Sequence, residues 1–171
     1  MLDSALHTII QLLRFALPSL LTLVLLAMEG LFLGFMAWYY IMPMVTLPSV
    51  FFWALYRPGL MPLFVAVIIG LAEGAVFNSP LGLAVVPLVI TVALVQVARR
   101  RLLYSGFGLQ WLTLAFLILI KVIIFIGFEA LLNPDADLAL LFYLNKMLVS
   151  IVLYPLIFFL LSWIQFTMGD S

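Results

Sequence analysis

The run FGLQWLTLAFLILIKVIIFIGFEALL, Phe107 to Leu132, decides the fold class. It is apolar almost throughout, with Lys121 and Glu129 as its only charges. Crossing a bilayer takes about 20 consecutive, mostly apolar residues. In hydrocarbon an α-helix satisfies its own backbone N–H and C=O groups, which an open strand cannot do. The run therefore reads as a membrane-crossing helix.

The rest of the chain has the same character. Hydrophobic residues make up 68% of the 171 and charged residues 8%, against roughly 45–50% and about 25% in ordinary soluble domains. So little charge could not cover a water-facing surface. At about 20 residues per span the length allows roughly five to seven spans and no separate soluble domain. The expected fold class is an all-α membrane protein with a single polytopic transmembrane domain over residues 1–171.

Proline, glycine and charge divide the apolar sequence into six predicted spans. These are Leu13 to Phe35, Ala37 to Tyr56, Met61 to Phe77, Leu81 to Ala98, Phe107 to Leu132, and Leu141 to Phe166. The first holds Pro18 and Glu29 and lacks a small-residue cleavage site, so it reads as a retained helix rather than a signal peptide. In the second, Pro43 and Pro48 can divide the helix or make part of it re-entrant. Arg14, Arg57 and the Arg99–Arg100–Arg101 triplet fall on one side of a six-span arrangement. By the excess of basic residues in cytoplasmic loops, that side is the cytoplasm, with both termini on it. Asp135 and Asp137 fall on the other side, and Trp38, Tyr39 and Tyr40 read as interfacial anchors.

Several function classes are excluded early. Seven basic and seven acidic residues give zero formal net charge, unlike a nucleic-acid surface. No phosphate loop, dinucleotide fingerprint or metal-ligand spacing occurs, so no cofactor or metal is expected. Cysteine is absent, and the single histidine, His7, reads as a solvated terminal residue.

The ionisable residues inside the predicted spans are the candidate site: Glu29, Glu73, Lys121 and Glu129. Each costs at least ~2.5–3.5 kcal/mol in hydrocarbon unless it finds a partner or a wet cavity. Helical rise places Glu29, Glu73 and Lys121 at similar depth, in the outer half. Glu129 lies nearer the outer boundary, where Lys146 enters the last span. A Glu73–Lys121 pair between helices is geometrically allowed. Two readings follow: an outward-opening polar pocket for a ligand group, or interhelical pairs that fix the packing, with Glu129 and Lys146 snorkelling to water.

Three local motifs carry structure. Arg57-Pro58-Gly59 makes a tight turn, because proline fixes φ and glycine allows positive φ. Asn78-Ser79-Pro80 stops the third span and, with Pro80, starts the fourth. Gly70 and Gly74, four apart, form a small-residue face for close helix approach.

The stretch from Leu47 to Leu83 resembles the rod shape-determining protein MreD family. The elements are LPSVFFWALYRPGL (Leu47 to Leu60, with Trp53, Arg57 and Pro58), GLAEG (Gly70 to Gly74, with Glu73) and NSPLGL (Asn78 to Leu83, with Pro80, Leu81 and Gly82). The arginine triplet, Phe125, Glu129 and the Tyr154-Pro155 pair resemble the family's second half. The family usually carries an aspartate where this chain has Gly74, with Glu73 one position earlier.

The resemblance implies a non-enzymatic subunit of the cell-elongation machinery in the bacterial inner membrane. Its implied partner is MreC and, through it, MreB, RodA and a class B penicillin-binding transpeptidase. It also implies a fold similar to the six-helix substrate-binding subunits of energy-coupling vitamin transporters. An outward-facing small-molecule capture subunit is thus the main alternative, and a small proton-coupled transporter using Glu73 is a third.

Overall fold

The computed structural model describes residues 2–31, 43–80, 82–132 and 137–169, with side chains described for 17–31, 43–80, 82–132 and 140–166. Among them, all regular structure is helical. Six α-helices run in order: α1 (Leu2–Leu31), α2 (Thr46–Tyr56), α3 (Leu63–Val76), α4 (Val85–Tyr104), α5 (Phe107–Leu132) and α6 (Asp137–Gly169), with a 3-10 turn at Pro58–Leu60. Two of them, α5 and the Leu140–Phe166 part of α6, are long and apolar enough to cross a membrane. Trp38, Tyr39, Tyr40, Leu81 and Asp135 lie outside the described residues, as do the side chains of His7, Arg14 and Asp137.

The centre of the fold is α2, and it differs from the expected second span. Pro43 to Val45 are not helical, and the helix starts only at Thr46. Its 11 residues span roughly 16 Å at ~1.5 Å each, about half of a ~30 Å hydrocarbon core. Pro48 sits in the first turn, where a missing N–H removes no intrahelical bond. Every residue from Thr46 to Leu55 is buried. The neighbours that enclose α2 are α1, α4 and α6.

Other boundaries shift for identifiable reasons. Helix α1 begins well before Leu13, because an apolar run marks the hydrocarbon and a helix can extend beyond it. Helix α4 starts at Val85 rather than at Pro80 or Leu81. Gly82 has φ +103°, outside helical geometry, so Gly82 to Ala84 form a turn in which Gly82 O accepts from Val85 and Val86 N–H. At its other end α4 continues through the arginine triplet to Tyr104, so these arginines are helical and not in a loop. The bounds of α5 coincide with the predicted fifth span. Helix α6 starts at Asp137, four residues before Leu141.

Hydrogen bonds fix the relative direction of the helices. Arg99 Nε donates to Leu55 O at 2.9 Å, Tyr56 Oη donates to Gln110 Oε1 at 3.0 Å, and Gln110 Nε2 donates to Leu102 O at 3.1 Å. The C-terminal ends of α2 and α4 and the start of α5 therefore meet at one end of the bundle, together with Arg57. There Phe52, Tyr56, Phe107, Tyr154 and Phe158 form a continuous aromatic cluster.

Polarity is inverted relative to a water-soluble bundle. Thr22, Glu29, Ser49, Glu73, Thr91, Lys121, Lys146 and Ser150 are buried, while Phe64, Leu112, Phe116, Val152, Leu156 and Phe159 face outward and are more than half exposed.

Candidate polar cavity

Four charged side chains from four helices converge at the end of the bundle opposite the arginines. Glu29 comes from α1, Glu73 from α3, Lys121 from α5 and Lys146 from α6, each at most 5% exposed. With Met44, Phe77, Ser79, Phe125, Phe142 and Tyr143 they line a cavity of about 80 Å³. Their formal charges cancel.

Glu73 and Lys121 form a direct ion pair through Glu73 Oε1. Gly70, one turn earlier, lets α3 pack tightly on the start of α4: a Cβ there would stand 2.6 Å from Val85 Cα. The second oxygen, Glu73 Oε2, is buried and has no hydrogen-bond partner among the described residues. The Lys121 ammonium also lies 5.8 Å from the Phe125 ring centre.

Glu29 has a different task. Its Oε2 accepts from Val45 N–H at 3.3 Å and from Thr46 Oγ1 at 3.4 Å. Met44 N–H donates to Ser150 Oγ at 2.7 Å, and that hydroxyl donates to Lys146 O at 2.6 Å. Residues from α1 and α6 thus satisfy backbone donors at the start of α2, where an anion also suits the helix dipole. Lys146 stands 5.3 Å from the Phe77 ring centre and 4.9 Å from that of Phe142, within cation–π range.

The set differs from the sequence expectation in two members. Glu129 is half-buried and does not line the cavity; it lies eight residues beyond Lys121, about 12 Å farther along α5. Lys146, read from the sequence as entering the last span at the outer boundary, takes that place. Starting α6 at Asp137 puts nine residues before it, roughly 13 Å of helix. An extra turn of helix before Leu141 was the missing signal.

The remaining motif residues are structural. Trp53 and Tyr154 are fully buried, and Tyr154 stacks on Phe107 with centroids 5.9 Å apart. Arg57 N–H donates to Trp53 O at 2.8 Å and closes α2, after which Pro58 opens the 3-10 turn. Asn78 has φ 50°, and Ser79 N–H reaches back to Gly74 O at 2.9 Å, the left-handed stop that ends many helices. Gly74 therefore faces its own turn at Ser79, and only Gly70 presses on the backbone that leads into α4. Pro155, inside α6, has no N–H for Ile151 O. Trp111 Nε1 on α5 donates to that carbonyl instead, at 3.0 Å.

No group of three or more metal-binding side chains occurs among the described residues. Among the described residues lining the cavity there is no serine–base or carboxylate–histidine hydrogen bond of the kind covalent or acid–base catalysis uses. Comparison with protein-family models, curated proteins and solved structures finds no match.

Proposed function

We propose that this chain is a non-enzymatic, multi-pass subunit of the bacterial cell-elongation complex, working in the inner membrane as MreD-type proteins do. In this reading it crosses the membrane six times, with both termini and the arginine end in the cytoplasm, and α2 is the inner half of the second crossing. Its partner is MreC and, through it, MreB, RodA and a class B penicillin-binding transpeptidase. Its role is to help control peptidoglycan synthesis and cell shape.

The observation that carries the proposal is where the residues of the Leu47–Leu83 resemblance fall. They build the buried α2, the turn that closes it and the Gly70 contact, which supports reading them as packing residues of a scaffold rather than as ligand contacts. The apolar outward face and buried polar residues suit a lipid surround. A cavity of about 80 Å³ also weighs against vitamin capture, since sites for drug-sized ligands run to roughly 300–1,000 Å³.

Affinity purification in mild detergent tests the reading. A single-span, coiled-coil partner should co-purify. Recovery of the chain with a bound vitamin, or substrate uptake by liposomes containing it alone, would replace the scaffold with the capture-subunit or transporter alternative.

A further inference from the structure

We propose that the cavity between α1, α3, α5 and α6 binds a small zwitterion, a net-neutral group with an ammonium and an anionic oxygen a few bonds apart. The site is lined by buried charges of both signs, Glu29 and Glu73 with Lys121 and Lys146. A zwitterion leaves that balance intact, whereas an added cation or anion would be a buried charge without compensation.

Two buried polar atoms on the cavity-lining residues indicate which groups are wanted. Glu73 Oε1 is committed to Lys121, while Oε2 has no partner among the described residues. An ionised carboxylate only accepts hydrogen bonds, so its complement is an N–H or O–H donor, here the ammonium. Ser79 Oγ is likewise buried without a partner, and a hydroxyl can donate to an anionic oxygen. Lys121 and Lys146 line the same cavity and supply positive charge for that oxygen.

Size narrows the occupant further. About 80 Å³ is far below the roughly 300–1,000 Å³ of sites for drug-sized ligands, which favours a group of a few heavy atoms over a vitamin. Such a group has two sources, a free small amino acid or the head of an ethanolamine phospholipid. The inference goes beyond the scaffold reading, and partner co-purification can succeed or fail independently of it.

Thermal unfolding of the delipidated full chain in mild detergent tests it, with glycine and glycerophosphoethanolamine as the two zwitterionic probes. Ethylammonium, acetate and acetamide serve as the single-charge and uncharged controls. A Tm that rises with the logarithm of zwitterion concentration is expected, and the probe that acts at lower concentration identifies the source. Ser79→Ala should keep the fold and weaken the shift, and Glu73→Gln should abolish it. The proposal is overturned if neither zwitterion moves Tm, if a control moves it as far, or if Ser79→Ala leaves the shift intact.

Discussion

The Lys121 ammonium on α5 and the Glu73 carboxylate on α3 are bonded across an interface that leaves their side chains 3% and 7% exposed. Removing one partner leaves the other charge buried alone, at a cost of about 3–5 kcal/mol in soluble analogues. Glu73→Gln and Lys121→Met should each destabilise the chain by a free energy of that order, seen as a lower Tm in detergent, and the double variant should recover part of the loss. Strictly additive losses in this double-mutant cycle would mean that the two residues act separately.

Gly70 offers a test of close packing that involves no charge. Its missing Cβ would stand 2.6 Å from Val85 Cα, a backbone atom that cannot rotate away. Gly70→Ala should destabilise by about 1–3 kcal/mol through overpacking. Gly127, also helical, has nothing within 4 Å of its Cβ position, so Gly127→Ala should be neutral or stabilise by about 0.5–1 kcal/mol. Equal Tm values for the two variants would count against the α3–α4 contact.

These two contacts also show what the sequence could and could not reveal. Helical rise is fixed, so counting residues places Glu73 and Lys121 at one depth, and the two are bonded. The same counting set Lys146 too near the boundary, because it started the last span at Leu141 while α6 begins four residues earlier, at Asp137. Proline read as a divider of the second span, and the helix does start after Pro43. That its start is held by Glu29 of α1 and Ser150 of α6 is a long-range fact, and no local pattern encodes it. Pro155 announces an unsatisfied carbonyl at Ile151, but which helix supplies the donor depends on packing.

The cap on α2 makes a prediction about Glu29. Gln retains a carbonyl oxygen for Val45 N–H, whereas Leu offers no acceptor. Glu29→Leu should cost about 0.5–2 kcal/mol as a lost N-terminal cap and speed amide exchange at Val45. Glu29→Gln should retain most of the protection there. Protection unchanged in Glu29→Leu would show that the carboxylate does not hold the start of α2.

Trp111 and Pro155 form a compensating pair. Trp111→Phe removes the donor to Ile151 O and should cost about 1 kcal/mol, the usual net value of one hydrogen bond. Pro155→Ala restores a backbone N–H at the position that normally serves that carbonyl. In the Pro155→Ala background, Trp111→Phe should therefore be nearly silent. A Trp111→Phe loss of equal size in both backgrounds would assign it to packing against α6 rather than to the hydrogen bond.

The last prediction concerns which faces of the bundle meet which side of the membrane. Leu55, Arg99, Gln110 and Leu102 tie the ends of α2 and α4 to the start of α5, with Arg57 and the arginine triplet beside them. Basic residues concentrate in the cytoplasm, so Ser105, exposed in the α4–α5 link, should be cytoplasmic. Leu131, exposed near the other end of α5, lies about 36 Å along the helix from its start at Phe107 at ~1.5 Å per residue and should face outward. The chain has no cysteine, so single substitutions can be labelled without background. In intact cells a membrane-impermeant maleimide should label Leu131→Cys and leave Ser105→Cys untouched until the membrane is broken. Labelling of Ser105→Cys from outside would invert or overturn the six-span arrangement, and labelling of both positions would mean that α5 does not cross.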